Sequence, residues 1–517
     1  MKTYGRKTIF ANYTEEQLLS GTVQDIIAKV KDILTNSIEI HNKNSADSSY
    51  LYDYLYGDQD IKNKKKYTRP EINNTGVENW AYAFMDWKKA FLFGKPIQYA
   101  AKDDTGNEEI TVLNNYLTFE NKGQLDQEIY EDIFAAGRGF RYVNYSGTTE
   151  DDEAPIELLN LDFLNTEVVY SSSINHEQLL SFVVTSKEYI ISEVKPETGK
   201  PENRAIPYDE YTVYTRNMKF VFSNKNGQLQ LEKQFLDKEE VDYVPIIHNA
   251  HIIQEWYLNR KRMSFLELCK DVFDDINKIE ALDMDDFENH TNSIMVFTNA
   301  EIDEEGMEKI KKYGAVSIKS TDQKKASVEL LEQQLVSVNT QIYYLRKLAA
   351  LHNILSVPQA NQSGEISNAE TGKAMLVGSG FTSASIRVEN EENEFKKCDR
   401  NSMKVILKIL RNASDSKIKT LKVSDLDFKF SRDLSDNLLV KTQALNNLMT
   451  ANIPPEIANA VIGLFSDPNA VTRAQERWME LKLKLENEIN LRKNGNNAIN
   501  EQNNKIEDAI NVQEQGQ

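Results

Sequence analysis

The sequence predicts an α+β chain that is predominantly helical, and three observations carry that prediction. Apolar residues recur at helical spacing through long stretches of the second half, β-type segments alternate with acidic turns between about residues 140 and 250, and Gly and Pro punctuate both patterns. With 517 residues the chain is long enough for several packed units. Its 40% hydrophobic and 9% aromatic content is that of a folded protein.

In chain order, Leu18, Leu19, Ile26, Ile27, Val30 and Leu34 predict helix over 14–56, stopped by Gly57. A basic loop with Lys62, Lys64, Lys65 and Lys66 follows. An aromatic helix is expected from Val77 to Phe93, closed by Gly94-Lys95-Pro96, then short strands at Ile97–Ala100 and Ile110–Val112. A helix over 123–136 stops at Gly137. Strands are expected at Phe140–Tyr145, Glu167–Tyr170, Ser181–Thr185, Tyr211–Tyr214 and Lys219–Phe222.

Ser264-Phe265-Leu266-Glu267 is a capping box, the serine side chain and the glutamate each satisfying a free backbone N–H of the other's turn. The helix it opens has apolar positions at Phe265, Leu268, Val272, Ile276, Ile279 and Phe287, with Asp and Glu dense elsewhere. An insert is expected next: strand Ile294–Phe297, helix Glu304–Lys312 and strand Ala315–Lys319. A second helix, Ser337–Leu355, carries Ile342, Leu345, Leu348 and Leu351 and halts before Pro358. A polar loop leads to a second capping box, Ser367…Glu370, and a helical pattern to about Asn412. Gly372, Gly378 and Gly380 near its start each weaken a helix by about 1 kcal/mol relative to Ala, which predicts a bend. A strand at Leu426–Phe430 and helices at Ser435–Met449, Pro455–Phe465 and after Asp467-Pro468 complete the order. The last carries Trp478, Leu481, Leu485 and Ile489 on one face, and the Asn-, Gln- and Glu-rich end beyond Lys493 is expected to be disordered.

Acidic residues outnumber basic ones, 80 to 61, for a net charge of −19. A tight DNA binder needs Lys or Arg for each phosphate it neutralises, so the chain as a whole is no DNA-coating protein or gene regulator. Cys269 and Cys398 stand far apart in no ligand spacing, which excludes a disulfide scaffold and fits a reducing compartment. The apolar runs fall far short of the roughly 20 residues that span a bilayer, and no signal-peptide pattern opens the chain. A soluble intracellular protein is expected.

No catalytic constellation survives inspection. Between Gly364 and Gly372 lie seven residues where a phosphate loop has four, and Ala374 follows Lys373 where Ser or Thr would hold magnesium. Gly137-Arg138-Gly139 lacks a third glycine and precedes a strand, and Gly378-Ser379-Gly380 is no nucleophile elbow. His248 and His251 have no third ligand type nearby and read as loop residues. The acidic series Asp271, Asp274, Asp275, Asp283, Asp285 and Asp286 has helical spacing and reads as an acidic helix face rather than a magnesium site. No cofactor and no metal is expected.

Two helices flanking a small insert, then a polar loop, then a long kinked helix, resemble the central part of tailed-bacteriophage portal proteins. Local phrases in the first half are similar to the SPP1-type portal family: Tyr52-Asp53-Tyr54-Leu55-Tyr56-Gly57-Asp58-Gln59-Asp60-Ile61, Arg69-Pro70-Glu71-Ile72-Asn73-Asn74, Phe93-Gly94-Lys95-Pro96-Ile97-Gln98-Tyr99, Ala136-Gly137-Arg138-Gly139-Phe140, and Leu161-Asp162-Phe163 leading to Val168-Val169-Tyr170. The resemblance spans most of residues 45 to 450. The stretch from Gly364 to Phe381 departs from the family's pattern of Ser, Gly and small residues.

The resemblance implies a portal fold: a wing over 1–255, a first stem helix over 256–290, a clip over 291–335, and a second stem helix over 336–357. It further implies a channel loop over 358–368, a long kinked helix and return of the wing over 369–450, crown helices over 451–493, and a tail over 494–517. It implies a homo-oligomeric ring, a dodecamer in the virion, at one capsid vertex. Double-stranded DNA would pass through without sequence readout. Terminase large subunit, head-completion or adaptor protein, major capsid and scaffolding proteins would be its partners, and membranes would not. The channel loop would present Gln359, Asn361, Gln362, Ser363, Glu365, Ser367 and Asn368. The channel lining would draw on Asp274, Asp275, Asp285, Asp286, Arg346, Lys347 and Lys373, and Gly372, Gly378 and Gly380 would form the kink. Such an acidic wall repels a duplex that carries one charge per about 1.7 Å. The competing readings are a minor head or head–tail adaptor protein without a channel, and a soluble α/β enzyme.

Overall fold

The computed structural model describes residues 4–67, 70–102, 108–147, 154–194, 201–225, 227–291, 294–298, 327–331, 337–358, 381–430, 438–451, 453, 455, 458 and 471–486. Among the described residues helix predominates over strand and no closed barrel forms, which bears out the α+β class.

Strand β1 (Ile9–Ala11) and the short helix α1 (Glu15–Leu18) precede α2 (Val23–Leu55). The expected single helix over 14–56 is thus broken: Gly21 takes a positive φ of 97°, and α2 restarts on a capping box of Thr22 and Asp25. Along α2, Ile26, Ile27, Val30, Ile33 and Leu34 are buried, as one apolar face at helical spacing. That face lies on a seven-stranded sheet ordered β1-β5-β6-β7-β8-β12 with β9 beside β8, from β5 (Thr166–Ser171), β6 (Gln178–Val194), β7 (Pro201–Tyr214), β8 (Met218–Lys225), β9 (Gln228–Leu231) and β12 (Val244–Pro245). Strands β10 (Gln234–Leu236) and β11 (Glu239–Val241) pair with each other.

A second core gathers α3 (Trp80–Phe93), β2 (Gln98–Ala101), α4 (Glu108–Phe119), α5 (Lys122–Ala136), β3 (Gly139–Tyr145), β4 (Ile156–Leu161) and β13 (Ile253–Trp256). The expected strand at Ile110–Val112 is instead part of α4. Ile110, Leu113, Tyr116 and Leu117 are buried together, so the helical period outweighs three β-prone residues. Helix α5 ends where the sequence predicts: Gly137 has φ 81°, and a Cβ there would meet the carbonyl oxygen of Arg262 at 2.2 Å.

Helix α6 (Phe265–Thr291) and helix α7 (Ser337–Leu355) follow, joined by an insert. Of the insert, β14 (Ile294–Thr298) pairs antiparallel with β15 (Ser327–Leu331). The sequence did not anticipate β15, and the expected helix Glu304–Lys312 and strand Ala315–Lys319 lie outside the described residues. Helix α8 (Phe381–Asn412) returns to the second core, and β16 (Leu426–Lys429) pairs with β2 across more than 300 residues of chain. Helix α9 (Leu438–Thr450) and a helix over 471–486 end the described chain. The Ser367 capping box, the three glycines of the expected bend and the chain beyond Lys493 lie outside the described residues.

Candidate functional site

The α6–α7 pair is where the sequence concentrates its candidate residues. Helix α6 begins on the expected capping box, with the Glu267 N–H donating to Ser264 Oγ at 3.1 Å and the Ser264 N–H to Glu267 Oε2 at 2.8 Å. One face of α6, through Leu266, Cys269, Phe273 and Ile276, is buried against α2, α3, α5 and the α7 residues Leu348, Leu351 and Leu355. The two helices run antiparallel: Asp275 meets Lys347, while Asp286, further along α6, shares a cleft with Asn339 near the start of α7.

The opposite face is unburied. On that side Leu282 is 54% exposed, and Leu268 and the α7 residues Val338, Ile342 and Tyr343 are exposed too; Met284 and Phe287, also exposed, instead continue the stripe of Leu266 and Cys269 further along α6. Between the helices on this side runs a cleft of 540 Å³ lined by Ile279, Leu282, Asp286, Asn339 and Tyr343 among others. The buried stripe is turned slightly from the one the sequence suggests: Ile276 belongs to it and Phe265 and Val272 pack partly buried against it, but Leu268 points outward. Ile342 is likewise exposed on α7.

The candidate acids have different fates. The Asp274 carboxylate accepts from Tyr54 Oη and from Lys270 Nζ, both at 2.7 Å. Asp275 accepts from Lys347 Nζ at 2.7 Å, near the surface. Asp286 and Arg346 are exposed.

Asp285 corrects the expectation of a channel-lining acid. It is 1% exposed and held by Lys64 Nζ at 2.8 Å, Lys66 Nζ at 3.2 Å, and the Asn74 backbone N–H and Nδ2 at 2.7 and 3.0 Å. Burial works to raise its pKa, but the bonds from Lys64, Asn74 and Lys66 hold it at about 2. The acids wrap around α6, so one falls on its packed face, where the basic loop neutralises it. Neither that partnership nor Tyr344, which donates to Glu78 at 2.8 Å, was read from the sequence. The run of four lysines opposite an acid-rich helix was the only signal for the first. Gln359, Asn361, Gln362, Ser363, Glu365, Ser367, Asn368, Lys373, Gly372, Gly378 and Gly380 lie outside the described residues.

The weaker chemical motifs resolve into packing. His251 Nε2 lies 2.9 Å from Glu15 Oε1, and His248 packs edge-on against Tyr145. Among the described residues, no group of three or more His, Cys, Asp or Glu is placed to hold a metal. Cys269 and Cys398 are free and buried, and burial pushes the Cys398 thiol up to about 11.

The family model described as phage portal protein, SPP1 Gp6-like, matches residues 34–489. The chain belongs to that family. No curated protein matches it. Portal proteins are structural components of phage heads rather than enzymes. Among the described residues no helix is long and apolar enough to cross a membrane. The match begins inside α2, so β1, α1 and the first turns of α2 precede it.

Proposed function

We propose that the chain is the subunit of a ring that forms the DNA channel at one vertex of a phage capsid, through which double-stranded DNA is packaged by a terminase motor and later ejected. The observation that carries this reading, within a portal family, is the outward face of α6 and α7. It leaves Leu282 and Tyr343 in water, lining one cleft with Ile279, Asp275 and Asp286. Exposed apolar side chains rimmed by charged ones mark an interaction surface. A heterologous contact that repeats until it closes buries such a face on every subunit at once.

In this reading α6 and α7 are the stem and the 291–335 insert is the clip that docks terminase and later a head-completion or adaptor protein. Residues 1–255 with the return over 369–450 form the wing, and 451–493 the crown. The channel loop is 358–368, with Gly372, Gly378 and Gly380 as its hinge. Asp275 and Asp286, with Asp274 in part, are the acidic lining; Arg346, Lys347 and Lys373 supply transient phosphate contacts. Twelve copies form the ring in the virion. A net charge of −19 per chain keeps DNA from sticking while it moves.

End-on electron microscopy of the purified protein tests this. Rings with a central hole of roughly 20 Å or more, wide enough for a duplex whose major groove alone spans about 12 Å, are expected. Monomers at every salt concentration tried would remove the channel reading.

A further inference from the structure

Residues 5–13 bond to three elements, the first turn of α6, α2 and the seven-stranded sheet, which elsewhere meet through side-chain contacts such as Tyr54 with Asp274 and Asn44 with Glu167. At one end, the Gly5 N–H donates to Glu267 Oε1 at 2.9 Å and the Arg6 guanidinium pairs with the same carboxylate, in the first turn of α6. The Arg6 N–H donates to the Arg262 carbonyl at 3.1 Å, and Arg262 Nη1 donates to Thr8 Oγ1 at 2.7 Å. Approach here is close enough that a Cβ on Gly5 would meet the Lys261 carbonyl oxygen at 2.1 Å. In the middle, Asn44 of α2 clamps Lys7 on both sides, its Oδ1 accepting from the Lys7 N–H and its Nδ2 donating to the Lys7 carbonyl, each at 2.9 Å. At the other end, Ile9–Ala11 runs parallel to Val169–Ser171 as the edge of the seven-stranded sheet. Ser172 N–H donates to the Ala11 carbonyl at 2.9 Å, and Ser171 Oγ to the Tyr13 carbonyl at 2.6 Å.

The anchors of this segment are buried. Arg6 is 4% exposed, Ile9 2% and Asn44 2%. Asn44 Nδ2 also reaches Glu167 at 3.3 Å, and Glu167 is paired with Arg138 in the interior. Burial acts to raise the Glu167 pKa, but Arg138 and His41 lower it overall, so the carboxylate stays charged. Breaking one member of such a buried network exposes the charge of the next, so its parts move together.

We propose that residues 5–13 are a strap that makes the first turn of α6 follow the seven-stranded sheet. The far half of α6 is held separately, by Lys64 and Lys66 on Asp285. The strap therefore governs the base of the helix and not its tip. It lies ahead of residue 34, where the family match begins, so it is a device of this chain outside that match. The inference rests on the packing within one chain and holds whether or not the chain forms a ring. In a ring, the strap would carry displacements of the sheet to the base of the channel wall.

Hydrogen exchange on the full-length protein tests it, with the perturbation placed at the sheet end. Ile9→Ala removes apolar contact under β1 and touches no residue of α6. Amides 264–271 should then exchange about tenfold faster, the size of an ordinary coupling between sites, while 278–288 keep the wild-type rate. Arg6→Ala should accelerate the same amides, and Arg6→Lys, which keeps a charge for Glu267, should restore part of their protection. Faster exchange confined to 9–13 and 166–171 would overturn the proposal, as would uniform acceleration along all of α6. If Ile9→Ala does not fold, Ile9→Val gives the same comparison at smaller amplitude.

Discussion

Asp285 and Asp286 are neighbours on one helix and have opposite surroundings. Asp285 is buried beneath two lysines and an asparagine, whereas Asp286 faces water at the rim of the α6–α7 cleft. The same division runs the length of α6. Leu266, Cys269, Phe273 and Ile276 hold the helix to its own chain, while Leu268 and Leu282 on the other side remain uncovered. A helix apolar on one face needs one partner, but α6 is apolar on two, and a single chain covers only the first. The difference separates residues that stabilise the subunit from residues available for assembly.

Substitutions on the inner face should have the largest effect on stability. Phe273→Ala empties a site that is 2% exposed among Phe84, Leu348 and Leu351, and should cost about 3–5 kcal/mol in denaturant unfolding of the subunit. Asp285→Asn should cost less, about 2 kcal/mol, because Lys64 and Lys66 are partly exposed and can turn to water once the charge is gone. Its pH dependence is specific. A carboxylate held at about 2 instead of its ordinary 3.8 stabilises the fold fully above about pH 4, and that contribution is lost as pH falls towards 2. Thermal melting of wild type and Asp285→Asn should therefore differ at pH 6 and converge between pH 4 and 2. Constant separation across that window would mean the ion pairs are not what holds Asp285. Lys347→Ala, which breaks a surface pair with Asp275, should shift stability by less than about 1 kcal/mol.

What the sequence made legible on α6 follows the same line. The capping box of Ser264 and Glu267 is local, and the structure forms it as read. Which apolar stripe packs inward is not local. A stripe centred on Leu266, Cys269 and Phe273 and the alternative centred on Leu268, Val272 and Ile279 both fit a helical period, and the choice is made by α2, α3 and α5, which approach from distant parts of the chain. Asp285 was misassigned for the same reason, since its partners lie about 210 to 220 residues away. In the first half, Gly137 marked the end of α5 because its backbone conformation is set within the turn, whereas Ile110–Val112 looked like a strand until Leu113, Tyr116 and Leu117 extended the period. The edge strand β1, three residues long, carries too little pattern to be seen without its partner β5.

The claim that the outer face of α6 serves assembly is tested most directly by Leu282→Asp. Leu282 is exposed, so the charge should change subunit stability by no more than about 0.5 kcal/mol. In a ring the aspartate would be buried without a partner, and sedimentation should show wild-type rings replaced by folded monomers with an unchanged circular dichroism spectrum. Intact rings of Leu282→Asp would contradict the account and place the contact between subunits elsewhere on the molecule.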